Sequence, residues 1–102
     1  MSHLIILIEK GKSIYGNYQN LAEQIGVPPS HISMWKKGTR TCTAPDRAAL
    51  ATAVNEDPAE AAIEAVIDGI NLTTPQGKRA THALQVALHT LRAHTEANIK
   101  KL

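Results

Sequence analysis

Residues 18 to 37 read YQNLAEQIGVPPSHISMWKK, and their small and apolar side chains fall where two short helices meeting at a sharp turn need them. Ala22 sits where the first helix passes closest to the second, and a side chain larger than methyl would push the two apart. Gly26 follows where that helix must end and the backbone must turn with positive φ, a conformation that glycine adopts without a Cβ clash. Pro29 has its φ preset for the first turn of the next helix and lacks an N–H that would have no intrahelical partner there. Asn17 has the short polar side chain of a helix cap. Leu21, Ile25, Val27, Ile32 and Trp35 supply the apolar contacts that hold the pair against the rest of the domain. Ser30, Ser33, Met34 and Lys37 are left on the opposite face.

This stretch resembles the helix-turn-helix of the lambda repressor and Cro family, with Ala22, Gly26, Ile32 and Trp35 at that family's most characteristic positions. The likeness covers roughly residues 3 to 54, because the family frames its motif with a preceding helix and one or two following helices. It implies an all-α fold: a lambda repressor-like bundle of about four helices, here followed by two C-terminal helices. It also implies a regulator of phage or prophage type that binds double-stranded DNA. With the second helix of the motif in the major groove, residues at its N-terminal end and one turn later project toward base edges. Those positions are Pro29, Ser30, Ser33 and Met34, with His31 nearby. Serine donates to or accepts from several bases, and Met34 suits a thymine methyl. The Pro28-Pro29 pair departs from the family, which more often has Ser, Thr or Gln near the start of this helix, so the usual glutamine-to-adenine contact is not carried over. Part of the specificity then falls to DNA shape. Asn17, Tyr18, Gln19, Lys36, Lys37, Thr39 and Arg40 are placed to touch phosphates. The resemblance further implies a repressing homodimer, with recognition helices in successive major grooves about 34 Å apart on a palindromic operator.

The charge distribution agrees with a basic binding face. Net charge is a modest +2, but residues 1 to 55 carry six Lys/Arg against three acids, residues 56 to 70 five acids and no base, and residues 71 to 102 five bases against one acid. Lys36, Lys37 and Arg40 come where a groove-docked helix meets the phosphate backbone. The acidic middle should face away from DNA. With 102 residues and only Tyr15, Tyr18 and Trp35 as aromatics, the interior must be built from Leu, Ile, Val and Ala, a thin core of the kind often completed across a dimer. The lone Cys42 has no disulfide partner and fits a reducing cytoplasm. Leu4 to Ile8 is an apolar run far shorter than the roughly 20 residues that span a bilayer, so no signal peptide or membrane anchor is expected. By periodicity alone it reads equally as a strand, and only its place before the helix-turn-helix makes it an expected buried first helix.

Turn and cap residues divide the chain into about six helices. Helix one is expected over about 3 to 10, stopping near Gly11. Thr43 followed by Asp46 opens the fourth helix, running to about Val54 with Leu50, Ala51 and Val54 inward. That closes a DNA-binding unit at residues 1 to 55. Residues 56 to 102 form a helical extension for dimerisation or partner binding. Its first helix begins at Asp57-Pro58-Ala59-Glu60, with Ala59, Ala62, Ile63, Val66, Ile67 and Ile70 on one apolar face and Glu60, Glu64 and Asp68 on a solvated stripe. Thr74-Pro75 starts the last helix, whose Ala80, Ala83, Leu84, Ala87, Leu88 and Leu91 repeat the stepping, continuing more weakly through Thr95, Ile99 and Leu102. Ala80, Leu84, Ala87, Leu88 and Leu91 are the expected dimer contact.

Other chemistries find little footing. His82, His89 and His94 share the last helix, but their spacings give no adjacent-turn chelating pair and no Cys or carboxylate completes a tetrahedral set, so no metal or other cofactor is expected. Neither a nucleophile-base motif nor a phosphate loop is present, and no enzymatic activity is expected. The alternative that stays open is a protein-interaction module or antitoxin-like protein whose terminal helices hold a protein partner.

Overall fold

A computed structural model describes residues 3 to 100, with side chains through His94; Leu102, and the side chains of Thr95 and Ile99, lie outside it. The described residues form six helices and no strand: α1 (His3–Tyr15), α2 (Tyr18–Ile25), α3 (Pro29–Lys37), α4 (Ala44–Ala53), α5 (Pro58–Asp68) and α6 (Pro75–Lys100). The fold is all-α. No helix among these residues is long and apolar enough to cross a membrane.

Most helix starts are where a short polar side chain can take an orphan backbone N–H. Asn17 Oδ1 accepts from Asn20 N at 2.7 Å, Thr43 Oγ1 from Asp46 N at 3.4 Å, and Asp57 Oδ1 from Ala59 N and Glu60 N at 2.8 and 3.1 Å. At the start of α6 the Thr74 hydroxyl accepts from Gly77 N at 2.9 Å. The turn between α2 and α3 is closed by Gly26 at φ 77° and ψ 33°. From there the N–H groups of Gly26 and Val27 both reach the Ala22 carbonyl, at 2.9 and 3.1 Å. Pro28 is extended, and Pro29 takes the first helical position of α3.

The first helix is longer than expected. It runs through Gly11 to Tyr15 and ends only at Gly16, where φ is +95°. Gly11 is buried inside the helix because α2 passes directly over it: a Cβ at this position would stand 2.6 Å from both Leu21 methyl carbons. Its glycine makes room for a neighbour instead of ending the helix. The Tyr15 hydroxyl then donates to the Ala53 carbonyl at 2.7 Å, tying the end of α1 to α4.

The core gathers Leu7 and Ile8 from α1, Leu21 and Ala22 from α2, Ile32 and Trp35 from α3, and Leu50 and Ala51 from α4, together with Cys42, Val54 and Ala61. Ala61 belongs to α5, so α5 is packed into the unit expected to end at residue 55, and its broadest contact is with α4. α6 also packs along α5.

This position between two helices changes the inward faces of the extension. A helix flanked on two sides has no single apolar stripe: Ala61 is buried, Ala62, Ile63, Ala65, Ile67 and Ile70 are half-buried, and Ala59 and Val66 are exposed, against expectation. On α6 the inward arc is Gly77, Thr81, Leu84, Leu88 and Leu91, while Ala80, Ala83 and Ala87 stand in solvent. The leucines, with more apolar area to bury, turn inward ahead of the alanines. Leu88 is 6% exposed and is therefore committed to this chain's own core.

Glu60, Glu64 and Asp68 likewise do not form a free solvated stripe. Arg92 of α6 pairs with Glu60 at 2.9 Å and with Glu64, His3 of α1 lies 3.4 Å from Glu64, and Asp68 lies 2.9 Å from Arg47 of α4. The acids of α5 join it to three other helices.

Candidate nucleic-acid interface

The face of α3 is set by which side chains its core contacts consume. Ile32 and Trp35 are 1% and 2% exposed, and because they are one turn apart they turn the same side of the helix inward. Pro29, Ser30, Ser33, Met34 and Lys37 then fall on the outward arc, and all five are exposed. His31 is the exception among the expected base-reading residues. It is half-buried, with its ring centroid 6.5 Å from that of Trp35, so it borders the core as much as the outer face.

The motif core sits where its chemistry requires. Leu21 and Ala22 are fully buried, Ile25 and Val27 pack on the edge of the core, and Gly26 is an exposed left-handed residue at the turn. Glycine at Gly38, with φ 78°, ends α3 in the same manner.

The seven residues expected to touch phosphates separate into three groups. Asn17 and Thr39 are engaged at helix termini: Asn17 caps the start of α2, and Thr39 donates both its N–H and its hydroxyl to the Met34 carbonyl at the end of α3, at 3.0 and 3.4 Å. Gln19, Lys37 and Arg40 are exposed. Tyr18 and Lys36 meet in a cluster that also includes Glu9 of α1, a residue whose role is not visible from its sequence neighbours. The Tyr18 hydroxyl donates to Glu9 Oε1 at 2.7 Å and accepts from Lys36 Nζ at 2.7 Å, and Lys36 Nζ lies 3.2 Å from Glu9 Oε1.

Two ammonium groups face the same tyrosine ring, Lys36 at 4.4 Å and Lys12 at 5.0 Å from its centroid, a distance at which the ring quadrupole attracts a cation. The hydrogen bond from Tyr18, then that from Lys36, hold the Glu9 carboxyl below the usual carboxylate range. Its hydrogen bonds to Tyr18 and then Glu9 push the Lys36 ammonium above the ordinary lysine value. Both groups are charged across the neutral range. Beside this cluster Tyr18, Pro29, Ile32, Ser33, Lys36 and Lys37 line a concavity of about 350 Å³ between α2 and α3.

Behind α3 lies a second feature that the sequence does not announce. Trp35, Arg40, Cys42, Arg47 and Asp68 border a cleft between the loop after α3, α4 and α5. Arg47 is 4% exposed. Its Nη1 is 2.9 Å from Asp68 Oδ2, a charge contact without hydrogen-bond geometry, and Arg47 Nε and Trp35 Nε1 are buried without a partner. Burial pushes the Cys42 thiol up to about 11 against the opposing pull of Arg47.

Among the described residues no three His, Cys, Asp or Glu side chains converge as a metal site. Of the expected dimer residues, Ala80 and Ala87 are exposed, Leu84 and Leu91 half-buried and Leu88 buried. The surface apolar stripe on α6 is instead Ala80, Ala83, Val86 and Ala87, with Val86 52% exposed. Compared with known proteins, the chain matches no family model, and searches of curated proteins and of solved structures find no significant match.

Proposed function

We propose that this chain is a cytoplasmic, sequence-specific double-stranded DNA-binding regulator of the lambda repressor and Cro type, acting as a homodimer on a palindromic operator. The observation that carries the reading is the outward arc of α3. Ser30, Ser33 and Met34 stand clear of the core on a helix fixed from behind by Ile32 and Trp35, and Lys37 and Arg40 follow at its end. A rigid helix with small polar side chains in front and cations at its rim has the form of a major-groove reader. Readout by serine and methionine is weak beside that of arginine or glutamine, so DNA deformability carries part of the specificity. The dimer contact in this reading is the exposed α6 stripe of Ala80, Ala83, Val86 and Ala87, with Leu88 left to the monomer.

Capture of genomic fragments by the purified protein, followed by sequencing, tests the proposal. One enriched short palindrome, near the protein's own gene, is the expected result; uniform recovery of all fragments, or none, overturns it. The same α6 stripe supports a second reading, a module that holds a protein partner such as a toxin. Sedimentation of Val86→Asp separates the two: a dimer that becomes a folded monomer favours the regulator, and a wild-type chain that is monomeric at all concentrations favours the module.

A further inference from the structure

The Glu9 cluster joins three helices at the rim of the proposed DNA face, and the one proton of its Tyr18 hydroxyl is already committed. A tyrosine hydroxyl has one proton to give. Tyr18 gives it to Glu9, so while that bond stands it cannot donate to a DNA phosphate. Lys36 is similarly directed inward, to the hydroxyl and the carboxylate at once. An acid here also opposes the approach of polyanionic DNA. The contact is nevertheless easy to give up, since the Glu9 and Lys36 side chains are 43% and 35% exposed and an ion pair open to water contributes little to stability.

We propose that Glu9 is a displaceable stand-in for a DNA phosphate: its carboxylate holds the Tyr18 hydroxyl and the Lys36 ammonium in the arrangement that a backbone phosphate takes over on binding. The inference rests on the DNA-binding reading and adds to it a residue that sets affinity. A phosphate oxygen accepts the same two hydrogen bonds that the carboxylate oxygen accepts, one from a phenol and one from an ammonium. Lys12, within 5.0 Å of the centroid of the same ring, adds a second cation for the incoming charge. Before DNA arrives, the carboxylate keeps Tyr18 and Lys36 ordered, which lowers the entropy lost on binding. The gate also discriminates by charge: a ligand must bring an anion to displace an anion.

The test is a titration of the full chain with a duplex of about 20 base pairs and scrambled sequence, across a salt series, read by fluorescence anisotropy. Glu9→Gln is expected to bind about 5-fold tighter, with a salt slope steeper by about 0.9, the increment for one additional phosphate contact. Glu23→Gln, which removes an exposed acid on α2, is expected to change affinity less than about 2-fold, as a distant charge does. Adding Tyr18→Phe to Glu9→Gln is expected to take back most of the gain, because the hydroxyl that would pass from the now neutral side chain to the phosphate is then missing. A Glu9→Gln protein that binds no tighter than wild type overturns the gate alone. So does a gain matched by Glu23→Gln or one that survives Tyr18→Phe in full. Absence of binding by wild type and Glu9→Gln together removes the DNA-binding reading as well as the gate.

Discussion

Gly11 shows how much a single missing Cβ decides. In an exposed helix, Gly→Ala gains roughly 1 kcal/mol of helix propensity. Here the added methyl would meet both methyl carbons of Leu21, which is fully buried. Overpacking of this kind costs about 1–3 kcal/mol, so Gly11→Ala is expected to destabilise the protein by about 1 kcal/mol net and lower its Tm by about 4–8 °C. A Tm that rises would show the contact to be slack. Cys42 provides an independent check of the core. With the thiol buried and pushed up to about 11, iodoacetamide at about pH 8 should label the folded protein far more slowly than the urea-unfolded chain, whose thiol has an ordinary pKa of about 8.5. Equal rates would place Cys42 outside the core. Glu9, held low, is ionised at neutral pH; whatever its pairing adds to stability is present above the ordinary carboxylate range and disappears as pH falls through the lowered value.

At the scale of elements, legibility follows the range of the interactions. Gly26, Pro29, Thr43, Asp57 and Thr74 act on backbone groups within a few residues, so their meaning can be read from their neighbours alone, and the helix boundaries they set agree with the structure. Gly11 has the same local appearance as a helix stop, and only the arrival of Leu21 from another helix makes it a packing site. Glu9, Tyr18 and Lys36 come from three helices and Arg47 and Asp68 from two others; nothing in their local sequence announces the pairs they form. The faces of α5 and α6 escape the sequence for a related reason. Periodicity gives the width of an apolar arc but not how many neighbours will share it. On the proposed DNA-binding reading, Lys37→Ala with Arg40→Ala at the rim of α3 should weaken binding to any duplex and reduce the salt slope by about 0.9 for each phosphate that is no longer neutralised, without lowering Tm. An unchanged slope would move the phosphate contacts elsewhere.

Across the whole molecule, the Arg47–Asp68 pair links the unit that carries α3 to the helical extension. Arg47 is buried while the Asp68 side chain is 58% exposed, which makes the two ends of the pair unequal. Asp68→Asn leaves a cation in the interior without its partner, and is expected to cost about 1–2 kcal/mol after allowing for solvent screening of the exposed acid. Arg47→Met, which removes the charge and keeps the volume, is expected to cost less than Asp68→Asn or to stabilise. Thermal melts of the two variants check the order, and the reverse order would show that Asp68 does not offset the buried charge. The principal extents of 41 × 39 × 21 Å describe a slab about two helix diameters deep. In so shallow a body every helix has one side against water, and protection from hydrogen exchange must come from neighbours on the other. α6 has its main neighbour in α5, so its amide protons should exchange first, well ahead of those in α1 and α2. The long last helix would then open and reclose many times for each time α1 or α2 comes loose.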